Sequence, residues 1–231
     1  VGDTARPAVD AAAVDTAATL PATRPAEQRA GDVPSATTVA KAADVWLNSS
    51  ATWDAFWNAG SDAFLDLQRA IGIALGLKSP DAGAVVAPPS EQAYFYSMMN
   101  PGAFPLSLNS WVEFNPTTPM LYDVLAIQNM YGANTTWHTG DDTYEFVQGS
   151  AYFQTIWDAG GIDTIEWSAS SQGALIDLRA GQFSEIGNPL KYWDADSLHS
   201  WTDKRTVAIA FGVTIENAIG GTGDDVIVGN D

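Results

Sequence analysis

The sequence predicts an α+β fold, with helices first and strands after. Three observations predict it. Apolar residues recur at spacings of three and four between residues 36 and 77. The stretch 79–118 is broken by Pro88, Pro89, Pro101, Pro105 and Pro116. From about residue 135, short runs of β-branched and aromatic residues alternate with Gly, Asp and Asn turns. Helix-period segments followed by strand-period segments, rather than interleaved with them, define this class.

Each element follows in order. Residues 1–34 are rich in Ala, Thr, Pro and Asp and have no apolar periodicity. They read as a low-complexity arm, expected to lie against folded surface or a neighbouring chain. Val39, Ala42, Ala43, Trp46, Trp53, Phe56 and Trp57 place one or two amphipathic helices between 36 and 59. Gly60 interrupts them. Ser61 is suited to cap the next helix, with Asp62 favourable in its first turn. That helix is expected to reach Leu77, with Lys78 at its end and Pro80 stopping it. Residues 79–118 are expected to be irregular. Thr143–Val147, Thr164–Trp167, Ala174–Leu178 and Thr206–Ala210 are expected strands of a β-sandwich leading into the first turn of a parallel β-roll.

The chain has 231 residues, 28 acidic against 10 basic, and a net charge of −18. Such a surface repels nucleic acid and anionic lipid and suits capture of divalent cations. No apolar run approaches the ~18 residues of a membrane span. Cysteine is absent, which excludes disulfides and thiolate chemistry. Bound metal ions are then one available staple. The Val1 end carries no basic-then-apolar leader.

Residues 69–79, Arg-Ala-Ile-Gly-Ile-Ala-Leu-Gly-Leu-Lys-Ser, fit the frame H-E-x-x-H-x-x-G-x-x-H with its chemistry removed. Arg69, Ile73 and Ser79 stand at the three histidine positions, Ala70 stands at the glutamate, and Gly76 keeps the glycine. Three further stretches are Pro119–Asn134, Trp157–Ser168 (Trp-Asp-Ala-Gly-Gly-Ile-Asp-Thr-Ile-Glu-Trp-Ser) and Gly212–Gly229. In order and spacing they resemble the last protease-domain helix, a calcium-binding stretch and the entry to the repeat roll of the serralysin-type metzincins. The resemblance runs from about residue 44 to the end. Tyr96-Ser97-Met98-Met99-Asn100-Pro101 falls at that family's methionine turn, with Met99 as the turn methionine and Pro101 where a zinc-reaching tyrosine is usual. The resemblance thus implies a degenerate member without Zn²⁺ or a general base. It divides the chain into an arm (1–34), a truncated remnant of the protease domain's lower half (35–134) and a calcium-binding β domain (135–231). Too little chain precedes residue 61 for that family's upper half and its substrate-binding edge strand. It also implies a longer repeat array than the chain carries, and export by a one-step exporter that reads the C-terminus.

Residues 220–228, Gly-Gly-Thr-Gly-Asp-Asp-Val-Ile-Val, satisfy G-G-x-G-x-D-x-U-x. Gly221 and Gly223 would offer carbonyls and Asp225 a carboxylate, with Ile227 facing into the roll. One repeat makes a half site. By resemblance, one Ca²⁺ is held by carbonyls of His138, Gly140, Asp142 and Gly160 and by side chains of Asp158 and Asp163. A second takes carbonyls of Gly161 and Thr214 with side chains of Asp163 and Glu216, so Asp163 bridges both. His138 departs from the family's usual arginine, which a carbonyl ligand tolerates. His199 sits in a Trp-rich insertion, Tyr192–Trp201, without a counterpart in the family pattern.

No G-x-S-x-G, P-loop or dinucleotide fingerprint occurs, and nothing selects a carboxylate pair. Two histidines without i, i+4 spacing cannot form a three-imidazole zinc site. The expected function is that of a secreted, calcium-stabilised pseudoprotease acting by binding, assembly or structure. A protein partner or self-assembly would engage the arm and the Trp-rich helices. The alternatives are an active zinc metalloendopeptidase with non-standard ligands, and an end-cap or chaperone-like piece for a repeat roll.

Overall fold

The computed structural model describes residue 45 and residues 57–81, 86–195 and 198–230. The expected arm over 1–34 and, Val45 apart, the expected helices over 36–56 lie outside the described residues. The architecture is mixed, with few helices and many short strands.

Helix α1 spans Asp62–Ala74, and the Ser61 hydroxyl accepts the Phe64 N–H at 3.2 Å. It ends before the expected Leu77 because Gly76 adopts φ +95°, a left-handed turn that most other residues resist. Gly72 lets α1 sit on the loop below it: a Cβ there would meet Met99 Sδ at 3.0 Å. The loop 79–118 is largely irregular, as its prolines demand, but contains a three-residue strand, β1 (Ser110–Val112). Helix α2 spans Leu121–Tyr131.

Eight more strands follow, separated by polar turns. They are β2 (Thr143–Glu145), β3 (Gln154–Ile156), β4 (Thr164–Glu166), β5 (Leu175–Asp177), β6 (Phe183–Asp194), β7 (His199–Ile209), β8 (Asn217–Ile219) and β9 (Val226–Val228). Strands β2, β4 and β8 form a wholly parallel sheet in which Thr143, Thr164 and Asn217 are aligned. The second sheet runs β3-β7-β6-β5-β9, with β1 on β6. In it β5 and β9 pair in parallel, Leu175 opposite Val226. Residues 164–178 and 217–228 therefore stack as two successive coils. Their turns are bonded by Thr222 N–H to the Ser170 carbonyl (2.8 Å) and Val226 N–H to the Ala174 carbonyl (2.8 Å).

The antiparallel β6–β7 hairpin lies in sequence between those coils. The expected strand Thr206–Ala210 is only the end of β7, and the unplaced Trp-rich segment is the outer part of this hairpin. Bulges after Ser184 and Glu185 interrupt the β6–β7 register and explain why a simple alternation is hard to read there.

Two apolar clusters hold the molecule. Ile165, Trp167, Ile176, Ile186, Ile209 and Ile215 belong to the cluster of the stacked coils. Leu65, Tyr94, Phe95, Met98 and Met120 form the other, together with Phe153, Leu190 and Tyr192 from the strand region. Each fully buried Ile or Phe contributes about 1.5–3 kcal/mol.

Candidate metal centre

The turns before β2, before β4 and before β8 meet at one end of the parallel sheet. Register brings them there, because aligning Thr143 with Thr164 and Asn217 stacks the residues just before each strand. Those residues are Asp142, Asp163 and Glu216. The Asp142 N–H donates to Asp163 Oδ1 at 2.8 Å, and the Asp163 N–H donates to Glu216 Oε2 at 2.7 Å. The Asn217 N–H donates to the Asp163 carbonyl at 2.9 Å. Asp163 is 0% exposed, and its Oδ2 has no hydrogen-bond partner.

Asp158 comes from the loop after β3. It is buried and takes the Gly160 N–H on Oδ1 (2.8 Å) and the Tyr144 hydroxyl on Oδ2 (2.6 Å). Burial, the hydrogen bond to Asp158 and the neighbouring carboxylates hold the Tyr144 phenol far above its usual range, so it remains a donor. Burial, together with the charges of Asp158 and Glu216, pushes the Asp163 carboxyl above the ordinary carboxylate range, against the Asp142 N–H bond. Among the described residues, no Lys or Arg lies within salt-bridge distance of Asp142, Asp158, Asp163 or Glu216.

His138 has φ +53° and presents Nδ1 3.0 Å from Asp142 Oδ2. Its donor atom and one carboxylate oxygen each of Asp142 and Asp158 lie within 4.8 Å of one another. The His138 carbonyl accepts the Ala159 N–H at 3.0 Å. Gly140 and Gly161 are pressed together: a Cβ on Gly161 would fall 2.0 Å from the Gly140 oxygen. Gly160 adjoins Asp158, and Thr214 is exposed two residues before Glu216.

These residues fit a hard divalent cation. Ca²⁺ takes about six to eight oxygens from mixed carboxylates and carbonyls. The cluster offers a surplus of negative charge, a buried oxygen without a donor and closely apposed glycine turns.

The half site at residues 220–228 lies apart, against the turn 167–174. Gly221 and Gly223 are required by close backbone approach, since a Cβ would fall 2.2 Å from the Ser170 oxygen and 2.6 Å from the Gln172 carbon respectively. Both Asp225 oxygens are already engaged, by the Ala174 N–H (2.9 Å) and the Gly221 N–H (2.7 Å). Ile227 is exposed rather than turned inward, because β9 lies at the edge of its sheet.

The residues assigned to the helix frame do not converge. The Arg69 guanidinium donates from Nε to the Met98 carbonyl (2.6 Å) and from Nη2 to the Asn100 carbonyl, and it stacks over Tyr94. Ala70 is buried and Ile73 is 44% exposed. Ser79 bonds Asp81, and Pro101 is exposed. Asp123 of α2 braces the same loop, accepting from the Ser97 hydroxyl (2.6 Å), the Met98 N–H (2.8 Å) and the Met120 N–H (3.0 Å). Sequence reasoning missed Tyr144 and Asp123. Only the inward alternation of β2 and the N3 position of α2 pointed to them.

The molecule thus joins a short helical part to a parallel sheet whose stacked turns gather carboxylates. Residues 123–231 match the family model described as the peptidase M10 serralysin C terminal, and the chain belongs to the serralysin-type family. It is 45% identical over 125 residues to a serralysin of Proteus mirabilis, covering 49% of this chain and 23% of that protein. It is 35% identical over 180 residues to serralysin C of Dickeya chrysanthemi, covering 68% of this chain and 34% of that protein. Serralysin G of the same organism is 41% identical over 121 residues. The chain spans about a third or less of the length of these relatives.

Proposed function

We infer that this chain is a calcium-stabilised member of its family that acts by binding rather than by peptide hydrolysis. The observation that carries the calcium reading is the buried Asp163 Oδ2, which has no donor, in a group of four carboxylates that have no Lys or Arg partner among the described residues. One ion would be held by carbonyls of His138, Gly140, Asp142 and Gly160 with side chains of Asp158 and Asp163. A second would take carbonyls of Gly161 and Thr214 with side chains of Asp163 and Glu216. The cation supplies the positive charge that this corner lacks and ties together segments far apart in sequence. Gly221, Gly223 and Asp225 form the weakest of the three sites, because each Asp225 oxygen already accepts an N–H. Residues 164–178 and 217–228 are read as the first coils of a parallel roll, following a remnant of the protease domain over 35–134.

Loss of hydrolysis is supported by Arg69. At the first ligand position of the helix frame stands a cation that cannot ligate Zn²⁺ and instead joins α1 to the loop of Met98 and Asn100. Tyr96, Ser97 and Asp123 organise that loop as structure. An extracellular location and export through a one-step exporter follow from the family reading. The test is casein cleavage by the purified chain, with and without chelator, beside an active serralysin. No chelator-sensitive cleavage is expected. Chelator-sensitive cleavage lost on Ala70 or Arg69 substitution would establish an active protease with non-standard ligands.

A further inference from the structure

We propose that the His138 imidazole converts the rim of the carboxylate site into a mixed nitrogen–oxygen site. That site takes a borderline first-row divalent cation in competition with Ca²⁺. This rests on the calcium reading for the location of the site and departs from it in the donor set.

Three side-chain donors of differing type, His138 Nδ1 and the carboxylates of Asp142 and Asp158, lie within 4.8 Å of one another. A second, independent feature points to the same place. The Asp163 carboxylate is 0% exposed and keeps Oδ2 without a donor, while the Asp142 N–H holds its other oxygen. The imidazole is oriented. Its backbone takes the left-handed conformation, its ring meets Trp137 edge-on at 4.8 Å, and the ring of Tyr144 lies at 6.0 Å. Tyr144 in turn fixes Asp158 through its hydroxyl. Such supporting contacts are what orient metal ligands. Ca²⁺ gains little from a nitrogen donor, whereas imidazole with carboxylates suits Co²⁺, Ni²⁺ and Zn²⁺. Both kinds of ion would draw on Asp158 and Asp163, so they compete.

The chain contains two histidines, which makes the test discriminating. Chelator-treated full chain is titrated with Co²⁺ near neutral pH by calorimetry and by its visible d–d absorption, then with Ca²⁺ alone and with Co²⁺ present. The variants are His138→Asn, chosen because Asn tolerates a left-handed backbone, His199→Gln and Asp158→Asn. Wild type is expected to bind Co²⁺ and to release it as Ca²⁺ rises. His138→Asn should weaken Co²⁺ roughly tenfold or more and weaken Ca²⁺ by much less, since only its carbonyl would face that ion, with an unchanged circular dichroism spectrum showing that it is folded. His199→Gln should change neither, and Asp158→Asn should weaken both. Equal Co²⁺ affinity in wild type and His138→Asn overturns the proposal, as does Co²⁺ binding that Asp158→Asn leaves intact. Ca²⁺ binding without Co²⁺ binding defeats this inference alone. Co²⁺ binding that needs His138 in a chain indifferent to Ca²⁺ defeats the calcium reading and the competition, and upholds the mixed nitrogen–oxygen donor set.

Discussion

Arg69 lies on α1, and its fork reaches two carbonyls on another segment. Replacing it leaves those carbonyls with one donor fewer and removes the cation over Tyr94. Arg69→Ala is expected to cost about 1.5–3 kcal/mol, the range for hydrogen bonds to a charged group. Arg69→Lys should fall between wild type and Ala, because a point charge cannot span both acceptors. Urea midpoints of the three proteins check this, and equal midpoints for Lys and Ala would show that the fork geometry is what matters. Asp123 is the mirror case: it is buried with three donors, yet burial still pushes its carboxyl above the usual range. The identity of Arg69 was plain in the sequence, but its partners Met98 and Asn100 were not, being 29 and 31 residues away.

Among the elements, the turns carry most of the information. Gly161 faces the Gly140 oxygen with no room for a methyl group, while Gly140 itself has nothing within 4 Å of a built Cβ. Gly161→Ala is therefore expected to cost about 1–3 kcal/mol by overpacking and to weaken Ca²⁺, with Gly140→Ala near neutral. Denaturant unfolding with and without Ca²⁺ measures both. At the end of β5, Asp177 takes Arg179 Nε at 2.9 Å and Nη2 at 2.6 Å. This pairing, with the Arg179 N–H, holds the Asp177 carboxyl below its ordinary value of 3.8. A carboxyl lowered in the folded state stabilises above its unfolded pKa and loses that contribution as pH falls through the folded one. Asp177→Asn should thus be clearly less stable than wild type at pH 7, with the gap closing below about pH 4. A gap independent of pH would mean that the pair's charge plays no part. The Gly-Asp clustering of these turns was legible because turn chemistry is local. The β6–β7 hairpin was not, since bulges and Pro189 break its alternation.

At the scale of the whole molecule, the proposed cation sites would make ion binding and folding one equilibrium. Asp142, Asp158, Asp163 and Glu216 come from three separated segments, and only the folded chain gathers them. Ca²⁺ at a hundredfold excess over its Kd is expected to add about 2.7 kcal/mol of stability. For a chain of this size that raises Tm by roughly 5–10 °C. Calorimetry with Ca²⁺, with Mg²⁺ and with chelator checks this. Asp163→Asn should abolish most of the rise, because Asp163 would serve both ions, and an undiminished rise in that variant would place the ions elsewhere.

By itself the sequence determined which residues turn, which alternate and which carry charge. Helix α1 with its Ser61 cap, the strand starts at Thr143 and Thr164 and the ligand-type turns all depend on neighbours within about four positions. Only the tertiary structure decided that Asp142, Asp163 and Glu216 stack, that Tyr144 bonds Asp158, that Asp225 spends both oxygens on N–H groups, and that Arg69 reaches Met98. Those contacts follow from strand register and loop closure across tens of residues, and no local pattern encodes them.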